Sequence, residues 1–503
     1  MSNQLAERIR AVLELDPAAP AVEHEGHWTD WATVSAMAFG VENALREAGL
    51  GAGSPVGLIL RNHPAMVAAL LGVLLTGGTA VTINPSHGDT GLCTDIAELR
   101  PAAVIALEAD WGRPGVSAAA AGALGLCVGS GPIPVRPHPG LEVLGRGPFR
   151  MVAGDVAVEM LTSGTTGPPK RIPLTYSAFE DTVAAAGTHY STSGDTAVRL
   201  RSGVAIISSP LVHMSGLFRT LLSVCQGRKI ALLERFRVSE FVDLVQRHRP
   251  RAVSLVPSAL TMVLDADVDP AVFAGVEVVT SGTAPLPVAV QEAFEQRFGV
   301  AVLPSYGATE FAGGVAGWNL ALHRDWSVLK RGSVGRAQSG REIRITTVDD
   351  GTEVPAGAQG RIEVRTGGGE WVRTTDIGRI DTDGFVYVDG RIDDVILRGG
   401  FKVAPAAIVD ALRSHPAVRD AGVTGISDHR LGAVPVAAVE LANGARADAT
   451  ELISFLRERL TRYQVPTRLI VVDELPRTPS LKVSQPELRK MFDDVDETEE
   501  VTT

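Results

Sequence analysis

Short apolar runs recur between residues 56 and 282, separated by stretches with helical spacing. Val56–Leu60, Thr79–Ile83, Ala102–Leu107, Val204–Ser209, Lys229–Leu233, Ala252–Pro257 and Val276–Gly282 are nearly continuous in apolar or small residues. A strand with one wet face alternates; a strand buried on both faces does not. The pattern therefore predicts parallel sheets covered by helices, an α/β fold. In such sheets ligands gather beyond the carboxyl ends of the strands. Most of these runs end near Gly, Ser or Pro, so chemistry is sought in the loops that follow them.

The longest apolar run, Met66 to Ile83, raises the question of a membrane span. Gly77 and Gly78 split it, and a helix from Pro64 to Leu75 would reach only about 18 Å. A buried helix followed by a buried strand is the reading adopted, with no membrane span. Glu7, Arg8 and Arg10 interrupt the N-terminus before an apolar signal segment forms.

The texture changes near residue 332. Gly332 to Asp389 is rich in Gly, Thr and Arg, and REIRITTV and RIEVRT alternate as antiparallel strands do. From about 393 a small α+β block follows. It mixes helices (Pro405–Ser414, Ala449–Leu460) with strands (Val434–Glu440, Leu469–Val472). The expected organisation is a large domain, 1–392, of layered α/β sheets plus a β-barrel-like region, and a small mobile domain, 393–503. The chain carries 47 Lys and Arg against 58 Asp and Glu, a net charge of -11. Six of those acids crowd the last eleven residues, so an acidic tail, 491–503, is expected to be solvated. The balance excludes a binder of nucleic-acid backbone, which needs a basic face. Three widely spaced cysteines, Cys93, Cys127 and Cys225, argue against a disulfide framework and suit a reducing cytoplasm.

The sharpest local signal is LTSGTTGPPKRIPLT, residues 161–175. Glycines let successive backbone N–H groups face one anion, hydroxyls add donors, and Lys170 adds a compact charge. Thr162, Ser163, Gly164, Thr165, Thr166 and Gly167 thus form a polyphosphate cradle in chemical terms. The spacing is not that of the Walker loop.

TSGTTGPPK resembles the phosphate-loop signature of the adenylate-forming superfamily, which includes acyl- and aryl-CoA ligases, peptide-synthetase adenylation domains and firefly luciferase. Seven further stretches stand in the same order: RNHPAMVAALLGVLLTGGTAVTINP, PLVHMSG, TSGTAPLP, SYGATE, RTTDIGRID, GRIDDVILRGGFKVAPAAI and PRTPSLKV. The resemblance spans roughly residues 25 to 490. It implies ATP, Mg²⁺ and coenzyme A as co-substrates and a small-molecule carboxylic acid as substrate. The acid would become acyl-AMP, then a thioester. Adenylation alone, loading of an acyl carrier protein, and a nucleotide-binding homologue without catalysis are the rival readings. Dimers are common in the family, and nothing in this sequence requires one.

The resemblance also assigns roles. Tyr306 and Gly307 would face adenine, Thr309 a phosphate, and Glu310 Mg²⁺, with Thr165 nearby. Asp376 and Arg391 would bind ribose and phosphate. Ser281, Gly282, Thr283 and Ala284 would border adenine and the acyl group. His213 would stand beside the acyl pocket, walled by Val212, Phe311, Gly313 and Gly314. Lys482 would bridge the carboxylate and the α-phosphate. Asp393 would be the pivot of a domain rotation, with Gly399, Gly400 and Lys402 on the coenzyme A face. Two departures stand out: Thr375 replaces the usual Gly of TGD, and Leu481 replaces the usual Gly before the catalytic Lys. Only six of the 47 basic residues are Lys, and two of them, Lys170 and Lys482, fall in the motifs where a point charge differs most from a guanidinium.

Overall fold

The computed structural model describes residues 3–162, 170–190 and 197–493. A seven-stranded sheet forms the first layer. Its centre is parallel, running Leu124–Val128, Ala103–Ala106, Pro55–Ile59, Thr79–Ile83 and Val156–Thr162, with antiparallel strands at both edges. All five residues of Pro55–Ile59 and of Thr79–Ile83 are buried, as the unbroken apolar runs require. Between those two strands lies the helix Pro64–Leu75, every residue of which is buried. Pro64 sits in its first turn, where a missing N–H costs nothing. Among the described residues no helix is long and apolar enough to cross a membrane.

A second sheet sets Arg201–Ile207, Arg228–Leu232 and Pro20–His24 in parallel and closes with the hairpin strand His27–Asp30. In the third, Ala252–Ser254, Val278–Ser281 and Ala301–Ala308 run parallel, and Gly313–Gly317 returns antiparallel beside the last of them. The region expected to be barrel-like is a four-stranded antiparallel sheet, Arg341–Thr346, Gly360–Thr366, Val372–Ile380 and Val386–Arg391. Its first and last strands are edges rather than partners.

The fifth sheet, built on Gly432–Leu441, begins with Ile396–Arg398 and takes helices Pro405–Arg413 and Ala449–Arg457 on its core. Of the expected acidic tail, 491–503, the residues from 494 onward lie outside the described residues. Met491–Asp493 continue the helix Gln485–Asp493, and Phe492 is buried in the small-domain core.

Candidate active site

The site is assembled where strand ends of the third and fourth sheets meet the C-terminal loop. Ala301–Ala308 ends in the motif SYGATE and passes into the short turn Thr309–Phe311. At Gly307 a Cβ would lie 2.2 Å from the Gly313 carbonyl, so only Gly lets the two strands approach. Tyr306 is buried. Its hydroxyl donates a 2.5 Å hydrogen bond to Asp376 Oδ2, tying the expected adenine platform to the expected ribose carboxylate. Burial, and then the Asp376 charge, push the Tyr306 hydroxyl far above its ordinary pKa, so it remains a donor.

Asp376 and Arg391 are direct partners across adjacent antiparallel strands, with Arg391 Nη1 3.7 Å from Asp376 Oδ1. Arg391 also grips the hinge. Its Nε and Nη2 donate to the two Asp393 oxygens at 2.9 and 2.8 Å. Desolvation alone would raise the Asp393 carboxyl; the Arg391 hydrogen bond and charge outweigh it and hold the group below its ordinary value. Thr375 explains itself here. It lies within the strand Val372–Ile380, and its hydroxyl accepts from Arg391 Nη2 at 2.6 Å, so the departure from Gly adds a tether to the guanidinium.

His213 precedes the helix Met214–Cys225 as its N-cap. Among the described residues its Nε2 is buried without a hydrogen-bond partner. Desolvation, then the charges of Lys482 and His87, lower its pKa to about 4, so the imidazole is neutral at physiological pH. Lys482 is thus close enough to His213 to act on it. Lys482 keeps contact with solvent, yet the protein around its amine displaces enough water to lower its pKa, with Arg391 adding to the effect. The charge of Lys482 is thus felt at His213, and that of Arg391 at Lys482.

Three contacts hold that pose. Ser258 Oγ donates to the Leu481 carbonyl at 2.9 Å. Leu481 packs against the large-domain core beside Phe236 and Val256. Arg419 Nη2 meets Asp265 Oδ2 at 2.6 Å.

Other expected residues lie as follows. Ser163, Gly164, Thr165, Thr166 and Gly167 fall outside the described residues. Thr162 ends one strand and faces exposed Lys170, which begins the next. Ser281 closes the strand Val278–Ser281, with its Oγ buried and unpartnered among the described residues. Gly282 is packed against the Ser305 hydroxyl, where a Cβ would come within 2.8 Å. Thr283 has φ +72, a left-handed backbone unusual for a β-branched residue, and half-buried Ala284 follows it. Glu310 is exposed on its turn beside half-buried Thr309. Among the described residues no cluster of three metal-ligating side chains exists. One hard carboxylate with an adjacent hydroxyl fits Mg²⁺, which takes few protein ligands and leans on phosphate oxygens and water. Gly399 and Gly400, at φ +55 and +87, form the two-residue turn of the hairpin between Ile396–Arg398 and Phe401–Val403, the strand that carries Lys402.

The residues expected around the acyl pocket lie as follows. Val212 and Phe311 are both buried in hydrophobic clusters. The ring nearest Gly313 is Phe218, 3.8 Å from where a Cβ would stand, and Gly314 abuts Gln338. Sequence reasoning also passed over Arg219, half-buried on the His213 helix, whose Nη2 donates to Thr280 Oγ1 at 2.7 Å. The signal was available: it is the one charged residue of MSGLFRTLLSVC.

Residues 9–369 match the AMP-binding enzyme family and 408–482 its C-terminal domain. The chain belongs to the AMP-binding enzyme family. It is an adenylate-forming acid–CoA ligase that uses ATP, Mg²⁺ and coenzyme A. A 2-succinylbenzoate–CoA ligase of Geobacillus kaustophilus is 33% identical over 365 residues, 68% of this AMP-binding enzyme and 71% of the relative. ATP-bound MatB from Rhodopseudomonas palustris superposes with a TM-score of 0.82 at 26% identity, over 98% of this chain and all of that one. Its apo form scores 0.70 at 25% identity, over 98% of this chain and all of that one. The o-succinylbenzoate CoA synthetase of Bacillus subtilis with its acyl-adenylate scores 0.74 at 25% identity, over 97% of this chain and 98% of that one.

Proposed function

We propose that this AMP-binding enzyme activates an aromatic or branched acid of medium size carrying a second anionic or hydrogen-bonding group. The first step joins a carboxylate oxygen to the α-phosphorus of ATP and expels pyrophosphate. The second joins the coenzyme A sulfur to the acyl carbon, with loss of the thiol proton and departure of AMP. The observation that carries the reading is the Tyr306–Asp376–Arg391 cluster, with the charge of Arg391 acting on Lys482 and that of Lys482 on His213.

In this reading Lys482 supplies fixed positive charge where negative charge gathers at the α-phosphate. Asp376, oriented by Tyr306 and Arg391, accepts from the ribose hydroxyls. Neutral His213 presents an unpartnered nitrogen to the acid without adding a competing cation. Glu310 and Thr309 would hold Mg²⁺, which neutralises phosphate charge when bound. Ser163 to Gly167 and Lys170 would cradle the polyphosphate of ATP.

Arg219 is the basis for the second polar group. A half-buried guanidinium beside Thr280, one residue before Ser281, is suited to a carboxylate or carbonyl at the far end of the acid. The curated relatives are named for 2-succinylbenzoate, an aromatic acid with a second carboxylate. We take 1–392 as the large domain and 393–503 as a small domain that rotates about Asp393 between the two half-reactions. Lys402 and the Gly399–Gly400 turn then approach coenzyme A in the second pose. The free thiols of Cys93, Cys127 and Cys225 support a reducing compartment such as the cytoplasm.

Pyrophosphate release across a panel of aromatic mono- and dicarboxylic acids tests the reading. Release with 2-succinylbenzoate or phthalate well above benzoate is expected. A preference for unsubstituted aliphatic acids would refute the substrate class.

A further inference from the structure

The loop that carries Lys482 contains a contradiction in local energetics. Leu481 has φ +62, the left-handed region that a Cβ disfavours and that Gly occupies freely. Its neighbours define the turn tightly. Leu481 N–H donates to the Thr478 carbonyl at 2.8 Å, and Thr478 N–H donates to the Lys482 carbonyl at 2.8 Å. A residue with a side chain persists in such a conformation only where something outside the turn offsets the strain.

That offset lies in the other domain. The Leu481 side chain packs against the large-domain core cluster, in a crevice shared with Phe236, Val256 and Ala259. Its carbonyl accepts from Ser258 Oγ at 2.9 Å, at the start of the helix Pro257–Asp265. The far end of that helix carries Asp265, the partner of Arg419 from the small domain. One helix of the large domain thus holds the small domain at two points, and Leu481 is the apolar one. A Gly at 481 would keep the turn and lose the contact.

We propose that Leu481 is a positioning residue that docks the Lys482 loop onto the large domain and so favours the adenylation pose over the thioester-forming pose. The apolar contact exists only when the loop is docked. Loss of a partly buried Leu side chain corresponds to about a tenfold shift in the balance of the two poses.

The inference rests on the two-pose reading above, so its test has one arm that needs no acid. In an Asp265→Cys/Arg419→Cys background, disulfide formation reports how often the domains meet in this pose. With Leu481→Ala added, formation is expected to slow about tenfold, and with Leu481→Met to stay near the parent. Equal rates in all three would overturn the proposal, whatever the substrate is. In the otherwise native enzyme with 2-succinylbenzoate as probe, Leu481→Ala and Leu481→Gly are expected to lower pyrophosphate release about tenfold. Thioester formation from pre-made acyl-AMP is expected to hold or rise. Equal loss in both half-reactions would mark a general folding defect, and faster adenylation in Leu481→Gly would mark the Leu as a hindrance; either outcome refutes the role. If the parent enzyme released no pyrophosphate, the choice of acid would have failed while the crosslinking arm still decided the proposal.

Discussion

Replacing Lys482 by Ala separates catalysis from stability in a way the structure specifies. The charge of the amine helps to depress the His213 pKa, and the charge of Arg391 acts on the amine in turn. Removing one preorganised donor aimed at developing charge costs about 10²–10³ in rate, about 2.7–4 kcal/mol. Arg391 remains, so the loss is confined to that range rather than to complete silence. The folded state lowers the Lys482 pKa, which means that its charged form is less comfortable there than in the unfolded chain. Between the lowered value and the ordinary one the unfolded state binds more protons, so this group's contribution to stability rises with pH. Lys482→Ala is therefore expected to leave Tm at pH 7 unchanged or slightly higher. Acid-dependent pyrophosphate release would fall by the stated factor. On the two-pose reading, thioester formation from pre-made acyl-AMP would be retained. A fall in Tm of several degrees, or equal loss in both half-reactions, would refute the assignment.

Tyr306→Phe keeps the ring and removes the 2.5 Å bond to Asp376; a hydrogen bond to a charged acceptor is worth about 1.5–3 kcal/mol, so KM for ATP should rise tenfold or more in steady-state kinetics. Arg219→Ala should raise KM for a dicarboxylic acid at least tenfold while leaving KM for ATP within about twofold. For His213, an unfolded imidazole takes its proton below pH 6.5 while the folded one stays neutral to about 4. Stability therefore falls as pH drops through that window, by up to about 3 kcal/mol. Urea titrations of His213→Asn against the parent at pH 7 and pH 4.5 should show a smaller loss in the variant.

Much of the fold was readable because burial writes itself into composition. The strands Pro55–Ile59 and Thr79–Ile83 and the helix between them are apolar throughout, and each is buried throughout. Closure of a sheet carries no such mark, and the expected barrel-like region proved to be a four-stranded sheet whose first and last strands do not pair with each other. Motif residues with fixed chemistry, such as Tyr306, Asp376 and Arg391, could be named from their strings, but their mutual bonding could not. Phe311 shows why: an aromatic residue beside Glu310 reads equally well as pocket wall or as core, and it is buried in a hydrophobic cluster. Thr375 and Leu481 were visible only as departures. The hydroxyl that holds Arg391 and the side chain that meets the other domain depend on partners far away in sequence.

The central claim is that the acid passes through an acyl-adenylate before it reaches coenzyme A. Incubating the enzyme with ATP, Mg²⁺, coenzyme A and an acid labelled with ¹⁸O in its carboxylate tests this directly by mass spectrometry of the nucleotide product. The account predicts AMP carrying one ¹⁸O, formed in equal amount with pyrophosphate and the acyl-CoA thioester. Unlabelled AMP, or ADP and labelled phosphate in its place, would contradict it.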